Sequence, residues 1–260
     1  MSWASRRQAT YIFGILAFVF VGVSVPVALL MYHPPTCFDG IQNQGETAID
    51  RGGPCVRLDE NSLSPVSVLW SRSFIVRPNN LGGGVYSSVA YIENLNKDAG
   101  AQEVAYHIGL YDDENVLIGE RTGSTFVMPG TITPVFETGI DSGRRTVART
   151  YFEFTAVPDW QRSSNAASVI KTSNVKMGDD LAMPRVSVDV ENTSPLDVMH
   201  PGFVVVLFDS AGNAFSASAT TLTRLTAGTT QTISFTWPSS LSSTVGRVEV
   251  LPRVAPKVAK

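Results

Sequence analysis

Residues 10–32, TYIFGILAFVFVGVSVPVALLMY, form an uncharged and strongly apolar run near the start of the chain. A helix of about 20 apolar residues crosses the hydrocarbon core of a bilayer. Arg6 and Arg7 precede the run, whereas the first charged residues that follow it are acidic. Because positive charge stays on the cytoplasmic side, the pattern predicts a single-pass cell-membrane protein, with residues 1–9 cytoplasmic and residues 33–260 extracytoplasmic.

A cleaved signal peptide is the alternative interpretation of this run. The apolar core of a signal peptide normally covers about 7–15 residues and ends at a small-x-small cleavage site. The run here is longer and ends in LLMYHPP, which offers no such site. We therefore expect an uncleaved anchor.

The composition excludes some partners and indicates a fold class. Charged residues make up 17% of the 260 residues, and the net charge is −3. This balance leaves no basic face for nucleic acid. Past the anchor the chain is rich in Val, Thr, Ser, Gly and Pro and shows no sustained helical period, which favours strands and turns. We expect the remainder to be all-β.

An internal repeat divides this β region in two. SSVAYIENLN (87–96) precedes YHIGLYDDENVLIGE (106–120), and RVSVDVENTS (185–194) precedes FVVVLFDSAGNAFSA (203–217). The Glu-Asn pairs and the Leu-aromatic-Asp triplets keep nearly the same separation in both copies. The repeat indicates two tandem copies of one domain.

Apolar and polar residues alternate along several segments, which is typical of half-buried strands. Short strands with turn signals every ~8–12 residues favour a β-sandwich. The side chains predicted to face the cores are Val104, Tyr106, Ile108, Leu110, Val186, Val188, Val190, Ile233, Phe235 and Trp237.

Two segments carry a resemblance to a known family. Residues 108–112 (IGLYD) and 205–209 (VVLFD) resemble the F-x-L-Y-D signature of bacterial immunoglobulin-like extracytoplasmic domains. Both copies replace the leading Phe with a β-branched residue, and the second replaces Tyr with Phe. The whole arrangement is also similar to membrane-anchored proteins of small-genome candidate-phylum bacteria. The resemblance implies two tandem immunoglobulin-like β-sandwiches outside the membrane, and it implies no reaction.

We therefore expect the following organisation. A transmembrane helix at 10–32 is followed by a neck at 33–59, by sandwiches at 60–157 and 165–253 with a linker at 158–164, and by a flexible tail at 254–260. The linker is short and polar, so the sandwiches should lie end to end, with Trp160 filling the contact between them.

Cys37 and Cys55 are the only cysteines, and they flank a short polar loop in the neck. An extracytoplasmic compartment permits disulfides. We predict a Cys37–Cys55 bridge, which would stiffen the neck.

The loop pattern C-x-D-G-x-x-N-x-x-E-x-x-x-D-x-G-G-x-C resembles a small cysteine-rich module of bacterial surface and secreted proteins. In that module a cysteine usually follows the last Asp, where this chain has Arg51. The loop also supplies oxygen ligands of the type that calcium prefers. In the alternative interpretation the same side chains cap turns of a solvated loop. The four residues in question are Asp39, Asn43, Glu46 and Asp50.

The remaining chemistry-bearing residues form no catalytic motif, so we expect no enzyme and no other cofactor. His33, His107 and His200 lack metal-ligand spacing. The Gly82–Gly84 loop lacks the Lys-Ser/Thr of a phosphate loop, which favours a hairpin tip. A basic cluster (Arg144, Arg145 and Arg149) either contacts an anionic glycan or lipid head group or forms a solvated edge.

The leading hypothesis is a non-enzymatic surface protein that acts as a structural or interaction module of the cell envelope and as a subunit of a larger assembly. Its partners would then be envelope proteins or further copies of the chain. The alternative is an adhesin or receptor that binds a glycan or a host-cell molecule. Fold alone does not separate the two.

Overall fold

The computed structural model describes residues 3–31, 36–180 and 182–259. This part of the chain is all-β after one N-terminal helix. The elements are α1 (Trp3–Met31), β1 (Ser67–Pro78), β2 (Gly84–Asn94), β3 (Ala99–Tyr111), β4 (Leu117–Val127), β5 (Thr131–Asp141), β6 (Arg149–Phe154), β7 (Gln161–Ser164), β8 (Ile170–Met177), β9 (Arg185–Asn192), β10 (Val198–Met199), β11 (Gly202–Phe208), β12 (Ala214–Thr221), β13 (Arg224–Leu225), β14 (Thr230–Thr236), β15 (Arg247–Arg253) and β16 (Lys257–Val258).

Helix α1 is exposed along its whole length. It has 29 residues and none of them is buried, and apolar side chains such as Phe18 and Leu30 are about four-fifths exposed, at 80% and 79%. A helix that is apolar all round is suited to lipid rather than water. It is long and apolar enough to span a membrane. It begins at Trp3, earlier than the predicted residue 10, while Tyr32 and His33 lie outside the described residues.

The first sandwich consists of two antiparallel sheets. One has the order β1-β2-β5, and in the other β3 pairs with β4 on one side and with β6 and β7 on the other. The second sandwich pairs the sheets β14-β9-β8 and β12-β11-β15. The alternation prediction is confirmed, since all ten side chains expected to face the cores are buried.

The repeated motifs hold equivalent turns in the two sandwiches. Asn94 and Asn192 are fully buried, and each Nδ2 donates to two backbone carbonyls while Oδ1 accepts an amide two residues later. Asp112 Oδ1 accepts the amides of residues 114 and 116, and Asp209 Oδ1 accepts those of residues 211 and 213. The motifs thus satisfy turn backbone that would otherwise lose hydrogen bonds on burial.

The two sandwiches pack against each other rather than lying end to end. The outer face of sheet β1-β2-β5 meets the outer face of sheet β12-β11-β15. As a result β2 and β11 are buried on both faces. We call this contact the inter-sandwich cluster; its buried residues are Phe74, Val89, Tyr91, Val204, Val206, Phe208, Ala214 and Ala217.

Further contacts join the sandwiches around this cluster. Met128, which follows β4 of the first sandwich, lies in the core of the second. Arg253 Nη2 donates to Thr125 Oγ1 at 2.9 Å, and Arg72 Nη1 donates to the carbonyl of Ala214 at 3.2 Å. These contacts make the two sandwiches one unit, because separating them would expose apolar surface and leave polar groups unpaired.

The expected linker and tail are both built into this unit. Residues 161–164 form β7, which pairs with the start of β3. Residues 257–258 form β16, which pairs with β7, and Val254 is buried in the second sandwich. Burial and ladder hydrogen bonds therefore hold both segments, which corrects the expectation of a separate linker and a flexible tail; residue 260 lies outside the described residues.

Candidate functional site

The neck between α1 and β1 contains both cysteines and the four oxygen-bearing residues considered as calcium ligands. Cys37 and Cys55 form a disulfide with Cα atoms 5.5 Å apart, which confirms the predicted bridge. The Sγ atoms and the Glu46 carboxylate lie within 4.8 Å of one another. Because both sulfurs belong to the disulfide, they are not thiolate ligands, and this trio does not form a metal centre.

The carboxylates of the neck accept hydrogen bonds from its own backbone. Asp39 accepts the amides of residues 36 and 41 and the side-chain amide of Asn43. Asp50 accepts the amides of residues 39 and 40. Glu46, which is buried, accepts the amides of residues 43 and 50 through Oε2. The hydrogen bond from the Thr36 amide, with that from Asn43, holds the pKa of Asp39 below its ordinary value.

This geometry decides between the two interpretations of the loop. A calcium ion needs several oxygens that converge on one point. Among the described residues, the oxygens of Asp39, Glu46 and Asp50 do not lie within 4.8 Å of one another as a group, and each carboxylate receives two or more N–H donors from the loop itself. The amide oxygen Asn43 Oδ1 differs from these carboxylates, since it is buried and accepts no hydrogen bond from the described residues. The arrangement therefore favours turn capping by Asp39, Glu46 and Asp50, and it does not fit a calcium cage.

Two glycines let the loop close on itself. Gly52 and Gly53 have φ angles of 75° and 52°. A Cβ at Gly52 would lie 2.2 Å from the Thr47 hydroxyl, and one at Gly53 would lie 2.7 Å from the Gly45 carbonyl. Only glycine fits this fold of the loop without strain.

The neck is seated on the base of the first sandwich. Trp160 is 5% exposed and packs with Leu58 and residues of β3 and β4. The amide of Leu58 donates to the Trp160 carbonyl at 2.8 Å, and Arg162 Nη2 donates to the Gly53 carbonyl at 2.9 Å. Trp160 thus fills the junction of neck and first sandwich, not the contact between sandwiches that we expected, because Leu58 supplies the facing apolar surface.

The other candidate residues take structural positions. His107 lies between Glu120 and Glu153, with N···O distances of 3.0 and 3.6 Å. Arg145 pairs with Asp112 and with Glu114, so the basic cluster is partly neutralised by the neighbouring turn.

The glycine loop and two tryptophans are likewise accounted for. Gly82 and Gly83 form the tip between β1 and β2. The ring centroids of Trp70 and Tyr91 are 4.2 Å apart, and Trp70 packs against the inter-sandwich cluster. Trp237 is buried in the second core, where Nε1 donates to the Ala217 carbonyl.

No protein-family model matches the chain, and no curated protein matches its sequence. Among solved structures, similarity is found to Bacteroides uniformis beta-glucuronidase 2 (12% identity, 73% of this chain, 30% of that chain, TM-score 0.23). Red sea bream transglutaminase is similar to the same degree (12% identity, 74% of this chain, 29% of that chain, TM-score 0.22). The chain spans about 30% of the length of these two proteins.

Proposed function

We propose that the protein is a non-enzymatic, single-pass protein of the cell envelope that presents a rigid two-sandwich body to envelope proteins or to further copies of itself. The observation that supports this most directly is the series of contacts that join the neck, the first sandwich and the second sandwich. The disulfide closes the neck, Trp160 seats the neck on the first sandwich, and the inter-sandwich cluster joins the second sandwich to the first.

The proposed mechanism is geometric. A helix in the bilayer fixes the base, and a body whose two sandwiches are joined by the inter-sandwich cluster holds its loops and sheet edges at a defined position and orientation. Binding then loses little conformational entropy, because the contacting surface is ordered beforehand. Arg6 and Arg7 ahead of the apolar run support an orientation with the body outside the cytoplasm.

Crosslinking mass spectrometry on intact cells tests the proposal. A membrane-impermeant, lysine-reactive reagent should reach Lys97, Lys171, Lys176 and Lys257, which are all exposed. Links to a consistent set of envelope proteins, or between copies of the chain, are the expected result. Labelled lysines without protein partners would favour a receptor for a glycan or host-cell molecule, and unlabelled lysines would contradict the orientation.

A further inference from the structure

Residues 37–50 of the neck bury one carboxylate and expose three large apolar side chains. Glu46 is 6% exposed, whereas Phe38 is 87%, Ile41 64% and Ile49 57% exposed. Loops in water normally have the opposite arrangement, since apolar surface is favoured in burial and carboxylates in solvent.

Hydrogen bonds connect the two backbone segments that carry these three apolar side chains. The Asp50 carboxylate accepts the amides of Asp39 and Gly40. These hydrogen bonds hold Asp50, the residue after Ile49, beside the backbone segment that lies between Phe38 and Ile41. The disulfide at Cys37 fixes the start of the same segment. We call Phe38, Ile41 and Ile49 the apolar neck face.

Chain connectivity limits what can cover this face. Met31 ends α1, and six residues lie between it and Phe38, which makes seven Cα–Cα steps. At ~3.6 Å per extended residue, Phe38 lies within about 25 Å of the end of the helix. If α1 spans a bilayer, this length lets the apolar neck face reach the lipid head groups.

We infer that the apolar neck face inserts into the interfacial region of the bilayer that holds α1, so that the neck rests on the membrane as a second contact beside the helix. Interfacial segments bury apolar side chains about 5–10 Å into the boundary between head groups and acyl chains. Backbone amides that donate to the carboxylates of the neck lower the cost of bringing these groups close to an apolar layer. The inference rests on the proposed function, specifically on α1 as the membrane anchor.

Photocrosslinking of the full chain in vesicles tests this inference. The chain is reconstituted in phosphatidylcholine and phosphatidylglycerol vesicles with 4-benzoylphenylalanine replacing Phe38 in one variant and Ile41 in a second. A matched control replaces Leu81, which is 62% exposed at the tip of the β1–β2 hairpin. Strand β1 separates this tip from the neck by roughly 40 Å, since its 12 residues rise about 3.3 Å each. A fourth variant carries the probe at Phe18 in α1.

Lipid adducts, measured by mass spectrometry, should form severalfold more at positions 38 and 41 than at position 81, and they should also form at position 18. Adducts at position 18 with equal yields at 38, 41 and 81 would overturn the interfacial contact and leave the anchor intact. Adducts to a second copy of the chain at positions 38 and 41 in place of lipid would overturn it as well. Absence of adducts at position 18 would refute the anchor and, with it, both proposals. Formation of the disulfide in each variant serves as the folding check.

Discussion

Replacing Phe74 by alanine should destabilise both sandwiches together. Phe74 is 7% exposed in the inter-sandwich cluster, on the outer face of sheet β1-β2-β5. In an isolated first sandwich that face would meet water, and the substitution would cost little. In the packed unit it removes a buried ring, which costs about 3–5 kcal/mol. For a unit of this size the melting temperature should fall by roughly 6–20 °C.

Hydrogen exchange measured by mass spectrometry along a urea titration separates the two cases. Peptides from β3 report on the first sandwich and peptides from β9 on the second. We expect Phe74→Ala to lower the unfolding midpoint of both by the same amount. The control is Ile75→Ala, the next residue on the strand, which is 44% exposed and should cost about 0.5 kcal/mol or less. A shift confined to β3, or one no larger than that of the control, would refute the packing argument.

Three further predictions concern the neck and the turns. Cys55→Ser should lower the free energy of unfolding by about 3 kcal/mol, as expected for a bridge between residues 18 apart. Its main effect should be faster proteolysis within residues 36–59, with a smaller effect on the melting temperature of the sandwiches. Equal rates of proteolysis in the variant and the unchanged protein would contradict this prediction. Calcium should not raise the melting temperature above that in EDTA, because Asp39, Glu46 and Asp50 already bind amides; a clear rise would restore the calcium hypothesis. The Asn213 amide holds the pKa of Asp209 below its ordinary value. The stability that this turn contributes is therefore present above about pH 4 and is lost as the pH falls through the lower pKa of the folded state. In urea titrations at several pH values, Asp209→Asn should reduce this loss of stability in acid, and an unchanged pH dependence would contradict the assignment.

The strands that face a single core could be predicted from the sequence, because their alternation has the period of a strand. Val186, Val188 and Val190 alternate with polar residues and are all buried. Residues 203–208, FVVVLF, do not alternate, and their continuous apolar pattern is typical of a strand buried on both faces. That pattern is a signal, not used in our predictions, for a neighbour on the outer face of β11, and it does not identify the sheet that supplies the neighbour.

The neck was predictable in part. Two cysteines that flank a short polar loop, predicted to lie outside the cytoplasm, indicated the disulfide without reference to the fold. The hydrogen-bond partners of the carboxylates could not be predicted, because they depend on how the backbone bends at Gly52 and Gly53. A calcium site and a set of capped turns would also use the same oxygen-bearing side chains, so composition does not separate them. The predicted position of Trp160 was wrong for a related reason. Its neighbour Leu58 lies about 100 residues earlier in the sequence, so local composition suggested a linker where a long-range contact buries the ring.

The pairing of β16 with β7 has a consequence for the order in which the chain folds. Strand β7 pairs with β3 of the first sandwich and with β16, and Gln102 Nε2 donates to the carbonyl of Pro256. During vectorial synthesis the first sandwich therefore emerges long before the segment that completes its base. Until that segment arrives, β7 presents an unpaired edge on which other chains can add strands. The edge of β7 is covered only when β16 has emerged, near the end of the described chain. A chain stalled before residue 257 should therefore be the form most prone to aggregate or to be degraded.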